Sequence, residues 1–373
     1  MGLSIICCFF GFLLLFLNNK KLNFFGLFLV LLGISYIASI RPETSADTQN
    51  YLRFYEESRS ITNYSFSIGR TYHAWVEDWY LNFCSIFSKN GIDFRLYLFI
   101  VAFIINSVSI YAINKLTSLF TDNKVYFPAL LLLYISNYGF LYSYVVIRGG
   151  LSFAFSILGI YYFLNKKYIK TILFVLVSVA LHNYSLVIIA VLLLIKFGPK
   201  RLTAKTCAIS FMILLAMAVL RVDVFFTNYV VRNFMSILNQ SSLFSFSHYL
   251  QEAASSDGIK KGTVLILVQS LYITYLFRNE IDKSEQLSKY MFILIIGGAV
   301  SVLLNNNATA RMSNYFTVYQ IVLFMKYLSD NFYIDTSFGG LTIDRRVFYQ
   351  TCMICAVFPI LNLIYILRYC SVI

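Results

Sequence analysis

Apolar residues in this chain come in long uninterrupted runs, not in the alternation of strands or the single stripe of a surface helix. Runs long enough, or nearly long enough, to cross a hydrocarbon layer of about 30 Å fall at roughly 4–17, 22–40, 94–114, 125–142, 146–164, 168–181, 183–197, 206–220, 263–278, 289–305, 312–328 and 347–367. They predict an all-α polytopic membrane protein of about twelve transmembrane or partly spanning helices, forming a single membrane domain over 1–373. Two polar stretches, about 41–93 and 221–262, interrupt the pattern. Both are far longer than the usual connection of about 4–6 residues, which makes them the expected carriers of function.

Composition agrees. Of 373 residues, 59% are hydrophobic and 13% charged, against roughly 25% charged in a soluble domain. Met1 to Phe16 carries no Lys or Arg ahead of its apolar run and no small-residue cleavage site after it, so the segment reads as a retained helix. Cys7, Cys8, Cys207, Cys352, Cys355 and Cys370 lie in or beside apolar spans. "CMIC" at 352–355 has no second pair and no histidine partner, so packing is the expected role; no metal site and no cofactor are expected.

Charge fixes the orientation. One set of short loops collects 17 of the 30 basic residues but only 7 of the 17 acidic ones, and basic loops stay in the cytoplasm. Both termini and both long loops are therefore assigned to the outer face. The same rule decides the run from Tyr168 to Lys196. Lys166, Lys167 and Lys170 precede it, and Lys196, Lys200, Arg201 and Lys205 follow, so both ends belong inside. The expected solution is a hairpin of two short helices of about 20 Å each, with His182 and Asn183 at its tip.

Charges inside spans cost about 2.5–3.5 kcal/mol each at the centre on insertion scales, so the few present are candidates. Arg41 in "SIRPETSADTQNY", Arg148 in "YSYVVIRGGLSFAF" and Arg311 in "NNNATARMSNYF" all fall, like His182, on the outer side of this topology. An arginine at a helix end can simply snorkel to headgroups. Several on one face suit a lipid-linked diphosphate, because the planar, permanently charged guanidinium grips phosphate in a bidentate way. Gly149 and Gly150 after Arg148 permit close approach of a backbone or a ligand.

In the first polar stretch, "DTQNYLRFYEESRS" places Tyr51, Phe54 and Tyr55 at i, i+3 and i+4, predicting a short amphipathic helix with its rings on the membrane surface. Asp47 opens it, as a helix cap or as an acid–base group. "AWVEDWYLNFCSIFS" holds both tryptophans, Trp75 and Trp79, around Glu77 and Asp78. The rings are ordinary interfacial anchors; a carboxylate beside them can carry protons. In the second stretch "VDVFFTNYVVRNFMSILNQ" reads as an interfacial helix, and His248 as a loop histidine. No P-loop, GxSxG elbow, HExxH or dinucleotide fingerprint occurs, and no nucleic-acid partner is expected.

The order "RPETSADTQNY", "WVEDWYLNF", "VVIRGGLSFAFSILGIYYFLNKKYIKTILFVLVSVALHNYSL", "ATARMSNYF" resembles the EpsG-like branch of Wzy-type bacterial polysaccharide polymerases, over most of the chain. The resemblance matches Asp47, Tyr51, Glu77, Arg148, His182, Arg311 and Tyr315. It implies a membrane glycosyltransferase similar to other polymerases and ligases that use polyprenyl-linked donors. Such an enzyme would join undecaprenyl-diphosphate-linked oligosaccharide repeat units into O-antigen, capsule or exopolysaccharide at the periplasmic face of the cytoplasmic membrane. In that reading His182 or Asp47 is the base, Arg148 and Arg311 stabilise the leaving diphosphate, and Arg41 assists. Tyr51, Glu77 and Tyr315 bind substrate; membrane lipids and a chain-length regulator protein are the other candidate partners. The competing readings are a flippase for the same lipid-linked sugar, another polyprenyl-phosphate glycosyltransferase or ligase, and a membrane O-acyltransferase.

Overall fold

The computed structural model describes residues 2–15, 17, 19–42, 47–64, 76–121, 127–226, 261–303, 307–331 and 345–369. Every regular element among them is helical. In chain order these are α1 (Gly2–Leu14), α2 (Lys20–Ser39), α3 (Thr48–Ser58), α4 (Asp78–Ser88), α5 (Phe94–Thr117), α6 (Phe127–Tyr134), α7 (Ile147–Leu164) and α8 (Tyr168–Leu181). There follow α9 (Val187–Phe197), α10 (Ala204–Val219), the four-residue α11 (Val222–Phe225), α12 (Lys261–Leu276), α13 (Glu285–Leu303), α14 (Asn307–Asn331), α15 (Arg345–Cys352) and α16 (Phe358–Tyr369). Among the described residues, five segments are long and apolar enough to cross a membrane: Lys21–Ser39, Phe94–Thr117, Ile147–Leu164, Glu285–Leu303 and Tyr349–Ile366. Tyr168–Leu181, Asn183–Phe197, Ala204–Val219 and Lys261–Leu276 are apolar but shorter. The protein is an all-α, multi-pass membrane protein.

The chain divides into two compact units, Met1–Leu186 with Met325–Ile373, and Val187–Phe324. In the first, α1 lies on α2 where Gly11 and Gly26 meet: a Cβ on either would come within 2.6 and 2.5 Å of the other's carbonyl oxygen, so only glycine allows that approach. α2 packs on α5, α5 on α7, and α7 on α8. The α7–α8 seam is polar at its centre. Ser152 and Ser178 each donate to the other's carbonyl at 2.9 Å, and Ser156 Oγ lies 2.5 Å from Ser178 Oγ. Small hydroxyl residues let the two backbones close while finding partners where no water is available. Ile169, Ile172, Leu173 and Leu176 form an exposed stripe on α8, spaced to meet acyl chains.

α3 and α4 pack on each other and on the start of α5. Ser58 Oγ lies 2.9 Å from Ser88 Oγ, and Tyr55 donates to the Ile92 carbonyl at 2.6 Å with its ring 4.7 Å from that of Tyr97. The expectation that the rings of α3 rest on the membrane surface is therefore corrected: Tyr51, Phe54 and Tyr55 are buried in protein. The i, i+3, i+4 stripe is real, but α4 and α5 cover it. α6 runs on through two π turns, Ile135–Gly139 and Leu141–Val145, and ends at Val146, immediately before α7.

In the second unit α10 packs against α12 and α13. Gln320 on α14 donates to the Ile266 carbonyl and Ser270 Oγ, both at 2.8 Å, and Tyr319 stacks on Tyr290 at 4.8 Å. The run from Tyr168 to Lys196 is broken where flanking charge predicts. α8 stops at Leu181, His182 is extended (φ −160°, ψ 113°), and a 3-10 turn over Asn183–Leu186 leads into α9. Trp75, His248 and all but the first five residues of the expected second interfacial helix lie outside the described residues.

Candidate functional site: a buried carboxylate joining an arginine to a histidine

Glu77 occupies the residue before α4 in an extended conformation (φ −67°, ψ 137°), and its side chain does not cap the helix. It turns into the first unit instead, where it is 1% exposed. Oε2 accepts from Arg148 Nη1 at 2.7 Å. Oε1 accepts from the Asn183 backbone N–H at 3.2 Å and lies 3.4 Å from His182 Nδ1. Three stretches distant in sequence thus meet on one carboxylate. A bare carboxylate is costly to bury, and charge-assisted bonds of this kind offset the cost. Held at Nδ1, the imidazole keeps Nε2 as its remaining nitrogen, the arrangement in which an orienting carboxylate leaves a histidine able to take a proton.

Local sequence explains the convergence. Arg148 lies in the first turn of α7, which must start hard against the π turn before it: a Cβ on Gly150 would stand 2.7 Å from the Tyr142 carbonyl oxygen. Glycine at 150 is what lets α7 begin there and swing Arg148 toward Glu77. At Gly149 the added Cβ would meet Val146 Cγ1 at 2.9 Å and come 3.7 Å from His182 Cδ2. The guanidinium of Arg148 also lies 6.0 Å from the centroid of the Tyr80 ring, a contact of cation–π type. Burial holds the Tyr80 phenol well above its ordinary value, so that ring is neutral beside the arginine.

Arg41 follows the end of α2 and is 4% exposed. Nη1 donates to the Tyr144 carbonyl at the end of the second π turn, satisfying an acceptor that a helix end leaves open. Its guanidinium carbon lies 5.7 Å from the centroid of the Tyr51 ring. Among the described residues, neither Nε nor Nη2 has a hydrogen-bond partner. Burial pushes the Arg41 pKa down, while Tyr51, Tyr80, Tyr144 and Asp47 oppose that shift. Asp47 holds the cap position of α3 in the left-handed region (φ 62°), without a side-chain bond to the helix.

The structure thus brings Glu77, Arg148 and His182 together and places Arg41, Tyr51 and Asp47 in the same unit. Arg311 and Tyr315 lie on α14 in the second unit, Arg311 half-buried and Tyr315 buried. Glu77, expected to touch substrate, is enclosed and engaged with Arg148 and His182. The backbone partners, Asn183 N–H and the Tyr144 carbonyl, carry no signal in sequence, because any residue type can supply a peptide group.

A family model described as the EpsG family matches residues 24–368. No curated protein and no solved structure matches the chain.

Proposed function

The chain belongs to the EpsG family, and from that premise we propose that it is a membrane glycosyltransferase that polymerises polysaccharide repeat units carried on a polyprenyl diphosphate at the outer face of the cytoplasmic membrane. The observation that carries the reading is the buried Glu77 joining Arg148 to His182. A base oriented by a carboxylate and flanked by a cation is what glycosyl transfer to a sugar hydroxyl requires.

In the proposed step the acceptor hydroxyl oxygen attacks the anomeric carbon of the donor glycan, and a new C–O bond forms. The bond from that carbon to the diphosphate oxygen breaks, and its electron pair leaves with the polyprenyl diphosphate. The hydroxyl proton passes to His182 Nε2, while Glu77 steadies the imidazolium through Nδ1 and arginine charge faces the departing diphosphate. Tyr51 and Tyr315 are assigned to substrate, and Asp47 is kept as an alternative base.

The test uses purified full-length protein in liposomes with a synthetic prenyl-diphosphate-linked repeat unit. Products spaced by whole repeat units are expected by mass spectrometry. Unchanged single units in the presence of folded protein would refute polymerase activity. In cells, gene deletion should remove polymer and leave single-unit glycan; loss of both would indicate a flippase or a ligase.

A further inference from the structure

Two arginines of the first unit, Arg41 and Arg148, differ in what compensates their charge. Arg148 is matched by the carboxylate of Glu77 at 2.7 Å. Arg41 is buried, hydrogen-bonded through Nη1 to a neutral backbone carbonyl, and holds Nε and Nη2 without a partner among the described residues. We propose that Arg41, with the ring of Tyr51 over it, is the phosphate-binding group of this site, and that Arg148 acts as a positioning residue that holds Glu77. This rests on the polymerase reading above and deepens it, since it moves the leaving-group contact from the start of α7 to the end of α2.

The physical argument is one of unmet valence. A buried guanidinium presents five N–H donors in a fixed fork, and donors left unsatisfied away from water are destabilising, more so when the group is charged. Capping the Tyr144 carbonyl uses Nη1 alone, and a lysine would serve as well. Nε and Nη2 lie on the same side of the guanidinium, the edge that takes two oxygens of a phosphate in a bidentate grip. Asp47 lies within electrostatic reach but bonds to neither nitrogen. Arg41 also stands two residues beyond the Lys21–Ser39 span, the depth at which a membrane lipid carries its phosphate. At 4% exposure, phosphate entry must displace part of the aromatic cover, to which the Tyr51 ring, 5.7 Å from the guanidinium carbon, belongs.

Phosphate at that depth has two sources, a prenyl diphosphate and the headgroup of a bulk phospholipid. The experiment measures melting of full-length protein in nanodiscs, made with phosphatidylcholine alone or with added phosphatidylglycerol, and with farnesyl diphosphate or farnesol as probes. Wild type, Arg41→Met, Arg41→Lys and Arg148→Gln are compared. The expected result is a melting shift with farnesyl diphosphate and none with farnesol, lost in Arg41→Met and retained in Arg148→Gln. Apparent affinity should fall at least tenfold in Arg41→Lys, which keeps the charge and loses the fork. An Arg41-dependent shift with phosphatidylglycerol alone supports the site and assigns it to bulk headgroups. A shift that survives Arg41→Met, or wild-type affinity in Arg41→Lys, overturns the proposal; the lysine variant decides the matter if the methionine variant does not fold. If wild type shows no shift with farnesyl diphosphate, the polymerase reading falls first. If wild type responds and the Arg41 variants respond equally, only the assignment to Arg41 falls.

Discussion

Glu77 is the residue whose surroundings say most about the site. Removing one member of a buried ion pair leaves the other charge without compensation, and costs about 3–5 kcal/mol. Glu77→Ala should therefore lower the melting temperature markedly. Glu77→Gln keeps an oxygen for the Asn183 N–H and should melt between the two. On activity, a positioned base contributes on the order of 10²–10⁴-fold. His182→Ala at unchanged protein level should lose long chains by about that factor on a glycan gel, and long chains at wild-type abundance would rule the histidine out as the base. Glu77→Gln should retain some polymerisation. The candidates themselves were legible in sequence, because a charge or a histidine in so apolar a chain has few cheap explanations. Their partners were not: nothing in "WVEDWYLNF" distinguishes Glu77, which turns into the protein, from a carboxylate facing water, and the choice is made by Arg148, 71 positions away.

The break in the run from Tyr168 to Lys196 was readable from the lysines on both flanks, since charge is read directly from the sequence and hydrocarbon tolerates it so poorly. The two π turns ahead of α7 were not readable, because a π turn depends on one extra backbone residue and leaves no side-chain period. Gly149 and Gly150 hinted at a close approach without naming the approaching group, which at Gly150 is the Tyr142 carbonyl. The two positions should differ in consequence. At Gly150 the obstruction is backbone that cannot rotate away, so Gly150→Ala should cost about 1–3 kcal/mol, the usual range for overpacking. At Gly149 the nearest atom is a valine methyl, and Gly149→Ala should cost less. Paired melts of the two variants check the order; equal losses would mean that the α7 start tolerates displacement. The α3 stripe teaches a related lesson. Amphipathic spacing shows that a helix has an apolar face, and what covers that face is a tertiary fact.

Across the whole molecule, the all-helical, multi-pass class follows from composition and run length alone. The division into two units does not, because compactness depends on contacts between distant segments. Orientation makes a prediction at this scale. With the native cysteines replaced, Ser60→Cys in the first polar stretch should react with an impermeant thiol reagent added outside intact cells. Lys200→Cys, among the basic residues after α9, should react only after lysis. The reverse pattern would place the Glu77 cluster on the cytoplasmic side, and the outward-facing polymerase with it. The contacts of Glu77 also constrain how the protein is made. The carboxylate emerges during synthesis 71 residues before Arg148 and 105 before His182. At about 5–20 residues per second, it waits roughly 4–14 s for its cation and 5–21 s for its imidazole. During that interval Glu77 has to remain at the aqueous edge of the bilayer or in its protonated form, so the site closes only after α8 has been delivered to the membrane. A ribosome that stalls before α7 therefore leaves an acidic group beside hydrocarbon without its counter-charge, the kind of defect that membrane quality control can recognise.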